Sequence, residues 1–260
     1  MTELTTYQVI AENFSKNHEN RIHSDEVARR YGFKGALVPG VAVFGYLTHL
    51  LVERFGEAWL GNSHSNVRFF RPAYDGDRLT ISCRQDGAEF HLQCVNSQSE
   101  LLAELHSSMP DGLPNPEPPD VFSGAPKDPQ RLPISWDLIE PYTPFSPWHW
   151  QITEAHNQTS AAQISDELPI FRNSAHPHLL LSEVNSALTR EYIMPAWLHV
   201  GSEIRLRKLL KVPDVVRSQT VVLKKWRKKG HEFALTYTTY ERDGVLATDV
   251  YHTWIFKVAK

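Results

Sequence analysis

The chain has 260 residues, a formal net charge of −3 and a pI near 6.5, which do not favour binding to nucleic acid or to an anionic membrane. With 41% hydrophobic and 22% charged residues it has the composition of a globular protein, and two cysteines, Cys83 and Cys94, imply no disulfide framework. Neither a signal peptide nor a stretch able to span a bilayer is recognisable, so we expect a soluble, cytoplasmic protein.

The first half of the chain predicts one long helix followed by four strands. The helix begins near Gly40, and its apolar residues leave little polar surface, which is typical of a helix enclosed by other elements. Strands are predicted at residues 65–71, 78–84, 89–96 and 100–107. Asp86-Gly87 fits a hairpin turn between the second and third of these strands.

A proline-rich segment, 110–133, separates this half from the next. Proline removes a backbone donor and restricts φ, so the segment is not expected to form a helix or a central strand. Because a loop of this length is unusual inside a compact domain, it is interpreted as a connector. The sequence therefore predicts an N-terminal domain at 1–109, a linker at 110–133 and a C-terminal domain at 134–260. The prolines of the linker are Pro110, Pro114, Pro116, Pro118, Pro119, Pro126, Pro129 and Pro133.

The second half repeats the order of the first. A helix is predicted to begin near Pro177, and strands at 202–209, 215–226, 231–241 and 245–256. Two sets of residues recur: Ala58-Trp59-Leu60 as Ala196-Trp197-Leu198, and, at an offset of 137, Ser65, Arg68 and Asp77 as Ser202, Arg205 and Asp214. Such repetition indicates duplication of one unit. An enclosed helix followed by an antiparallel meander, twice, favours an α+β fold of the hot dog type, although a generic α+β domain also fits the periodicity.

A short motif precedes the first helix. The stretch Asn17-His18-Glu19-Asn20-Arg21-Ile22-His23 is followed by Ala28, then by Pro39-Gly40 at the helix start and by an Arg-Phe-Phe-Arg-Pro-Ala-Tyr-Asp-Gly-Asp segment at 68–77. This pattern resembles the motif of MaoC-like and R-specific enoyl-CoA hydratases, Asp-x-Asn-Pro-Ile/Leu-His, a short alanine-bearing helix and a His-Gly pair. The resemblance implies a double hot dog with a pseudo-twofold arrangement, its two helices packed centrally and its two sheets joined edge to edge.

The sequence departs from the family pattern at three positions. His18, or Asn17 if the register shifts by one residue, stands at the position of the aspartate, and neither is a carboxylate. Arg21 replaces the proline of the motif, and Pro39 replaces the histidine before Gly40. The nearby carboxylates Glu19 and Asp25 could substitute for the aspartate, although no spacing requires it.

The resemblance implies a site at the start of the first helix, where unpaired N–H groups can hold a thioester carbonyl. It places the carbonyl near Pro39, Gly40 and Val41. His23 is then the expected base and Asn20 its orienting group, with His18 as a third candidate. The second half lacks the motif, and its Ala175-His176-Pro177-His178 segment could be a remnant of the His-Gly corner.

The resulting hypothesis is binding of an acyl thioester, on coenzyme A or an acyl carrier protein, with hydration of an enoyl group or the reverse reaction. A thioesterase and a non-catalytic acyl-thioester-binding protein are the alternatives. No redox cofactor is expected, because no glycine-rich phosphate loop follows a predicted strand. No metal site, nucleic acid or membrane partner is predicted, and a homodimer is left open.

Overall fold

The computed structural model describes residues 2–126 and 130–259. The first half contains a helix and four strands close to the predicted positions, and an additional edge strand, β1, that the sequence did not reveal. Its elements are β1 (Thr2–Ile10), α1 (Asp25–Arg30), α2 (Gly40–Phe55), α3 (Glu57–Gly61), β2 (Ser63–Phe69), β3 (Arg78–Asp86), β4 (Glu89–Val95) and β5 (Leu101–Ser108).

The second half follows the same plan. Its central helix spans Pro177–Glu191, as predicted, while its first long strand begins at Leu198 and not at Ser202. The short strand β7 and the helix α4 were not predicted. Its elements are β6 (Leu132–Pro133), β7 (Trp148–Gln151), α4 (Glu154–Ala162), α5 (Pro177–Glu191), β8 (Tyr192–Ile193), β9 (Leu198–Leu206), β10 (Val215–Lys228), β11 (His231–Arg242) and β12 (Val245–Lys257).

Ten strands form one sheet in the order β1-β3-β4-β5-β2-β9-β12-β11-β10-β7. The halves meet where β2 pairs with β9 in antiparallel register. Asn66 pairs there with Glu203, and these two residues are themselves separated by the repeat offset of 137. A pseudo-twofold axis therefore passes between them. The predicted edge-to-edge joining of two sheets is confirmed, and the fold is a double hot dog.

The two central helices, α2 and α5, pack against each other. Gly45 of α2 permits this close approach, because an added Cβ would lie 2.5 Å from the Cδ1 atom of Ile164 and 3.2 Å from the Cβ atom of His178. A single hydrophobic cluster includes residues of both helices and of both halves of the sheet. No helix among the described residues is long and apolar enough to cross a membrane.

The proline-rich segment lies along the second half. Arg205 and Arg207 point away from the core, since their neighbours Ile204 and Leu206 are buried in it. Their guanidinium groups donate to the carbonyls of Asn115 (3.1 Å) and Pro114 (2.7 Å), respectively. Apart from a 3-10 turn at Pro119–Phe122 and the short strand β6, the described part is irregular, as expected. Pro129 lies outside the described residues. We propose that 1–109 and 134–260 are the two duplicated units.

Candidate active site

A cavity of about 730 Å³ opens at the amino end of α2 and is lined by residues of both halves. Every residue that the sequence assigned to the site lines this cavity, namely His18, Asn20, His23, Pro39, Gly40 and Val41. The size fits a small-molecule ligand. The motif residues His18, Asn20 and His23 and the helix start at 39–41 are separate in the sequence, and the fold brings them to one cavity.

Asn20 fastens the motif to the second half of the protein. Its side-chain amide donates to the carbonyl of Trp197 (3.0 Å), and its Oδ1 atom accepts from the Trp197 N–H group (3.1 Å). The backbone N–H of Arg21 also donates to the carbonyl of Pro195, at 2.8 Å. Asn20 is buried. The Asn20 amide is therefore held on both sides by backbone groups, and its orienting role stays a prediction.

His23 is held between its own half and Asn20. Its Nδ1 atom lies 2.7 Å from the carbonyl oxygen of Leu37, and its Nε2 atom lies 3.4 Å from the amide nitrogen of Asn20. Because a carbonyl only accepts, Nδ1 carries the proton and Nε2 keeps its lone pair. Burial lowers the pKa of His23 to about 4, so the ring is neutral at pH 7. It is therefore an available proton acceptor in the cavity.

His18 has a more local role. Its Nδ1 atom accepts from the backbone N–H of Asn20 at 3.0 Å, while the side chain is otherwise exposed at the cavity wall. The structure therefore places His18 as a cap of the turn that presents Asn20. Asn17 is also exposed and lines the cavity.

The first turn of α2 faces the cavity without a side-chain cap. Pro39 is its N-cap residue, and the carbonyl of Pro39 accepts from the N–H groups of Ala42 and Val43. An added Cβ at Gly40 would lie 3.2 Å from the Nδ1 atom of His199, so glycine allows the helix end to approach that histidine. Backbone N–H groups in such a turn favour a ligand oxygen that carries negative charge.

His199 was not predicted as a site residue. Its Nε2 atom lies 2.8 Å from the hydroxyl of Ser202, which lies 3.0 Å from the Nδ1 atom of His252. Burial, and then the nearby His252, lowers the pKa of His199 well below its usual value. The Nδ1 atom of His199 is buried. The uncharged hydrogen-bonded series His199–Ser202–His252 therefore supports the start of α2 from the second half.

The cavity walls differ in polarity. One wall, formed by the first half, β9 with the residue before it, and β12, is mostly apolar and includes Phe33, Leu37, Val43, Phe69, Trp197 and Ile255. The wall formed by α4 and α5 is mostly polar and includes Thr159, Ser160, Gln163, Ser182, Glu183, Asn185 and Ser186. On α5 the positions 179, 182, 183 and 186 follow helical spacing, so they share one face. That spacing is the sequence signal that could have indicated this wall.

The two carboxylates considered as substitutes for the missing aspartate lie elsewhere. Glu19 forms an ion pair with Arg131, which lowers the pKa of Glu19. Asp25 accepts from the N–H group of Ala36 at 2.8 Å and thereby fixes the loop before α2. Neither residue lines the cavity. Both carboxylates therefore lie outside the cavity, where each is used in a local contact.

The helix corner of the second half is closed. His176 is the N-cap residue of α5, accepts from the N–H of His178 and is fully buried. Its Nε2 atom lies 3.3 Å from Asp166, and the other oxygen of Asp166 lies 3.2 Å from Nδ1 of His49. Among residues 2–126 and 130–259, no group of three or more metal-binding side chains is placed to hold a metal ion.

Solved structures with the same fold support the architecture. A Chloroflexus aurantiacus protein provisionally described as a MaoC domain dehydratase superimposes with a TM-score of 0.64 at 14% identity, over 99% of this chain and 94% of its own. A conserved hypothetical protein of Mycobacterium tuberculosis, described as a double hot dog, gives 0.61 at 11% identity, over 98% and 96%. A Lactobacillus plantarum protein provisionally described as an oleoyl thioesterase gives 0.53 at 12% identity, over 98% and 96%. No protein-family model and no curated protein matched the sequence.

Proposed function

We propose that the protein binds an acyl thioester in this cavity and adds water to a 2-enoyl group, or removes it in the reverse direction. One observation carries the proposal: His23, whose unprotonated Nε2 atom has only a long 3.4 Å contact with the Asn20 amide, and the uncapped first turn of α2 line the same largely apolar cavity. A proton acceptor and a set of backbone donors are two of the groups that this reaction uses.

The residues divide the chemistry between them. The first N–H groups of α2 hold the thioester oxygen, which gains negative charge as the double bond is attacked. Nε2 of His23 accepts a proton from water while the water oxygen bonds to C3, and the imidazolium returns that proton to C2. Because the pKa of His23 is lowered to about 4, the imidazolium gives up its proton readily. Asn20 holds the ring in position.

The names of structurally similar proteins agree with an acyl-thioester substrate, since they include dehydratases and a thioesterase. A thioesterase is the second candidate, because the same helix end also stabilises the oxyanion formed when water attacks the thioester carbon. The two reactions differ in the bond that changes. Hydration consumes the enoyl double bond, whereas hydrolysis releases a thiol.

The test is an assay of the purified wild-type protein and of the His23→Ala variant with short and medium 2-enoyl-CoA substrates. Loss of enoyl absorbance and release of free thiol are followed together. His149→Ala is the matched control, because His149 is exposed on the edge strand β7. We expect enoyl loss without thiol release, reduced about 10²- to 10⁴-fold by His23→Ala and unchanged by His149→Ala.

The alternative results have distinct meanings. Thiol release by the wild type assigns the protein to the thioesterases. If the wild type shows neither enoyl loss nor thiol release, but acyl-CoA still raises its melting temperature, the protein is a non-catalytic binding protein. Full activity of His23→Ala overturns the assigned role of this histidine.

A further inference from the structure

The motif before α2 lacks its carboxylate, yet the cavity contains one from another part of the chain. Glu183 of α5 is the only aspartate or glutamate among the described residues that line the cavity. We infer that Glu183 is the catalytic carboxylate of this site, an inference that rests on the proposed hydration. It holds the attacking water and offsets the positive charge that develops on His23.

The position of Glu183 is unusual for a glutamate. Only 9% of the residue is exposed, and it lies near the middle of α5, the central helix of the second hot dog. Glutamate is almost never fully buried unless it is paired, and the partners of Glu183, Arg190 and Ser186, lie at long distances. The residue related to it by the repeat offset is Tyr46 of α2, which is buried in the core. The carboxylate is therefore a feature of the second half alone.

The partners of Glu183 leave acceptor capacity for a water molecule. Its Oε2 atom lies 3.6 Å from the Nη1 atom of Arg190, and its Oε1 atom lies 3.4 Å from the hydroxyl of Ser186. Both distances exceed those of strong hydrogen bonds to a carboxylate, which are about 2.7–2.9 Å. The guanidinium of Arg190 also lies over the ring of Trp148, 4.6 Å from its centroid. Arg190 thus supplies positive charge without saturating the carboxylate oxygens.

The two groups complete the addition of water. One hydrogen of the water is held by Glu183, and the other is transferred to Nε2 of His23 as the water oxygen bonds to C3. The electrons of the C2–C3 double bond move onto the thioester oxygen. The proton on His23 then passes to C2, so that water is added and both side chains return to their starting forms. The negative charge of Glu183 stabilises the transient imidazolium.

The experiment compares kcat, KM and butyryl-CoA affinity for the wild type and for the Glu183→Gln and Glu183→Asp variants, with 2-enoyl-CoA as substrate. Glu19→Gln is the matched control, because Glu19 belongs to the same motif region but does not line the cavity. We expect Glu183→Gln to lower kcat by about 10²-fold or more, to leave butyryl-CoA affinity within about threefold, and to be partly rescued by Glu183→Asp. Melting temperatures verify that each variant is folded.

A double variant tests whether Glu183 and His23 act on one water molecule. If they do, His23→Ala with Glu183→Gln is no slower than the slower single variant, because one reacting assembly has already been lost. Two results overturn the role of Glu183 and leave the proposed function intact. One is a double variant in which the kcat losses of the two single variants multiply. The other is an unchanged kcat in Glu183→Gln when the wild type catalyses hydration. Thiol release that disappears in Glu183→Gln keeps Glu183 as the water-holding group and overturns hydration. A wild-type protein that shows neither enoyl loss nor thiol release overturns both proposals.

Discussion

The two helix corners of this protein occupy equivalent positions in the sequence repeat but are different environments. Gly40 and Pro177, the first residues of α2 and α5, are separated by the repeat offset of 137. The first corner opens into the cavity, whereas the second is closed around His176 and Asp166. The two corners of the repeat therefore differ: one borders a cavity, and the other is filled by buried side chains.

The same contrast appears one step earlier in the chain. At the repeat offset Asn157 corresponds to Asn20, and Ser160 corresponds to His23. Asn157 is buried, donates to the carbonyls of Phe171 (2.6 Å) and Ser174 (2.9 Å), and accepts from the N–H of His176. Both asparagines thus fasten a loop to the backbone, but the position of His23 is occupied by a serine, Ser160, in the second half.

The largest expected effect is a loss of stability at low pH, which should be greater in the second half than in the first. Burial lowers the pKa of one histidine in the first half and of four in the second, within the described residues: His23, and His176, His178, His199 and His252. Because the unfolded chain, with histidine pKa values near 6.5, binds more protons, stability is lost as the pH falls below about 6.5, until each folded pKa is reached. Each histidine contributes up to about 1.4 kcal/mol per pH unit.

The free energy of unfolding should therefore fall by several kcal/mol between pH 7 and pH 5, measured by urea denaturation. Hydrogen exchange at pH 5 should increase in the second half before the first. His23→Gln should reduce the slope by the share of one histidine, and His149→Gln is the control for replacing an exposed histidine. An unchanged slope in His23→Gln would contradict the lowered pKa of this residue.

Removing the hydrogen bonds between the Asn20 side chain and the Trp197 backbone, which join the two halves, should have the next largest effect. Asn20→Ala leaves the N–H and C=O groups of Trp197 without their side-chain partners in a buried setting. We expect a loss of about 2–5 kcal/mol in the free energy of unfolding, measured by urea denaturation. Asn17→Ala, at an exposed position, is the control and should change stability by less than about 0.5 kcal/mol. Equal stability of the two variants would argue against a stabilising role of the hydrogen bonds between Asn20 and Trp197.

Gly40→Ala tests how closely the open corner is packed. The added Cβ would lie 3.2 Å from Nδ1 and 3.4 Å from Cβ of His199, so the helix end or the histidine must shift. We expect a loss of about 1–3 kcal/mol in thermal or urea denaturation, together with weaker acyl-CoA binding. Gly61→Ala is the matched control, because its Cβ would make ordinary contact with Leu209 at 3.5 Å. A change of similar size in both variants would mean that the corner is not specially constrained.

The smallest effect is expected where the linker contacts the second half. The hydroxyl of Tyr251 donates to the carboxylate of Glu117 at 2.5 Å. Tyr251→Phe should lower the free energy of unfolding by about 1 kcal/mol and increase hydrogen exchange around residues 114–118. Tyr142→Phe, at an exposed position, is the control. Unchanged exchange in Tyr251→Phe would show that this contact does not hold the linker.

The sequence predicted the elements with strong periodicity and turn signals. The starts of α2 and α5 agree with the prediction, and most strand ends lie within two residues of it. By contrast, α4 was missed because its Glu-Ala-His-Asn-Gln-Thr-Ser-Ala-Ala sequence has almost no apolar periodicity. The strand β7 has four residues, and its strand character comes from pairing with β10. Local pattern does not reveal pairing of that kind.

The site was predictable only as far as it is local. His23, Asn20 and Gly40 belong to one motif and one helix start, so the sequence places them together. Glu183 and His199 reach the cavity through the packing of the second half against the first. Their spacing from the motif carries no information, because it spans the linker and a complete repeat. The sequence alone therefore indicates only the carboxylates next to the motif, Glu19 and Asp25, and both of these are engaged in local contacts.

The most direct test of the central claim is a crystal structure of the protein with butyryl-CoA. We expect the thioester oxygen within about 3 Å of the first N–H groups of α2, with C3 of the acyl group beside His23 and Glu183. Acyl-CoA bound outside the cavity, or with its thioester away from Gly40, would contradict the assignment of this corner as the active site.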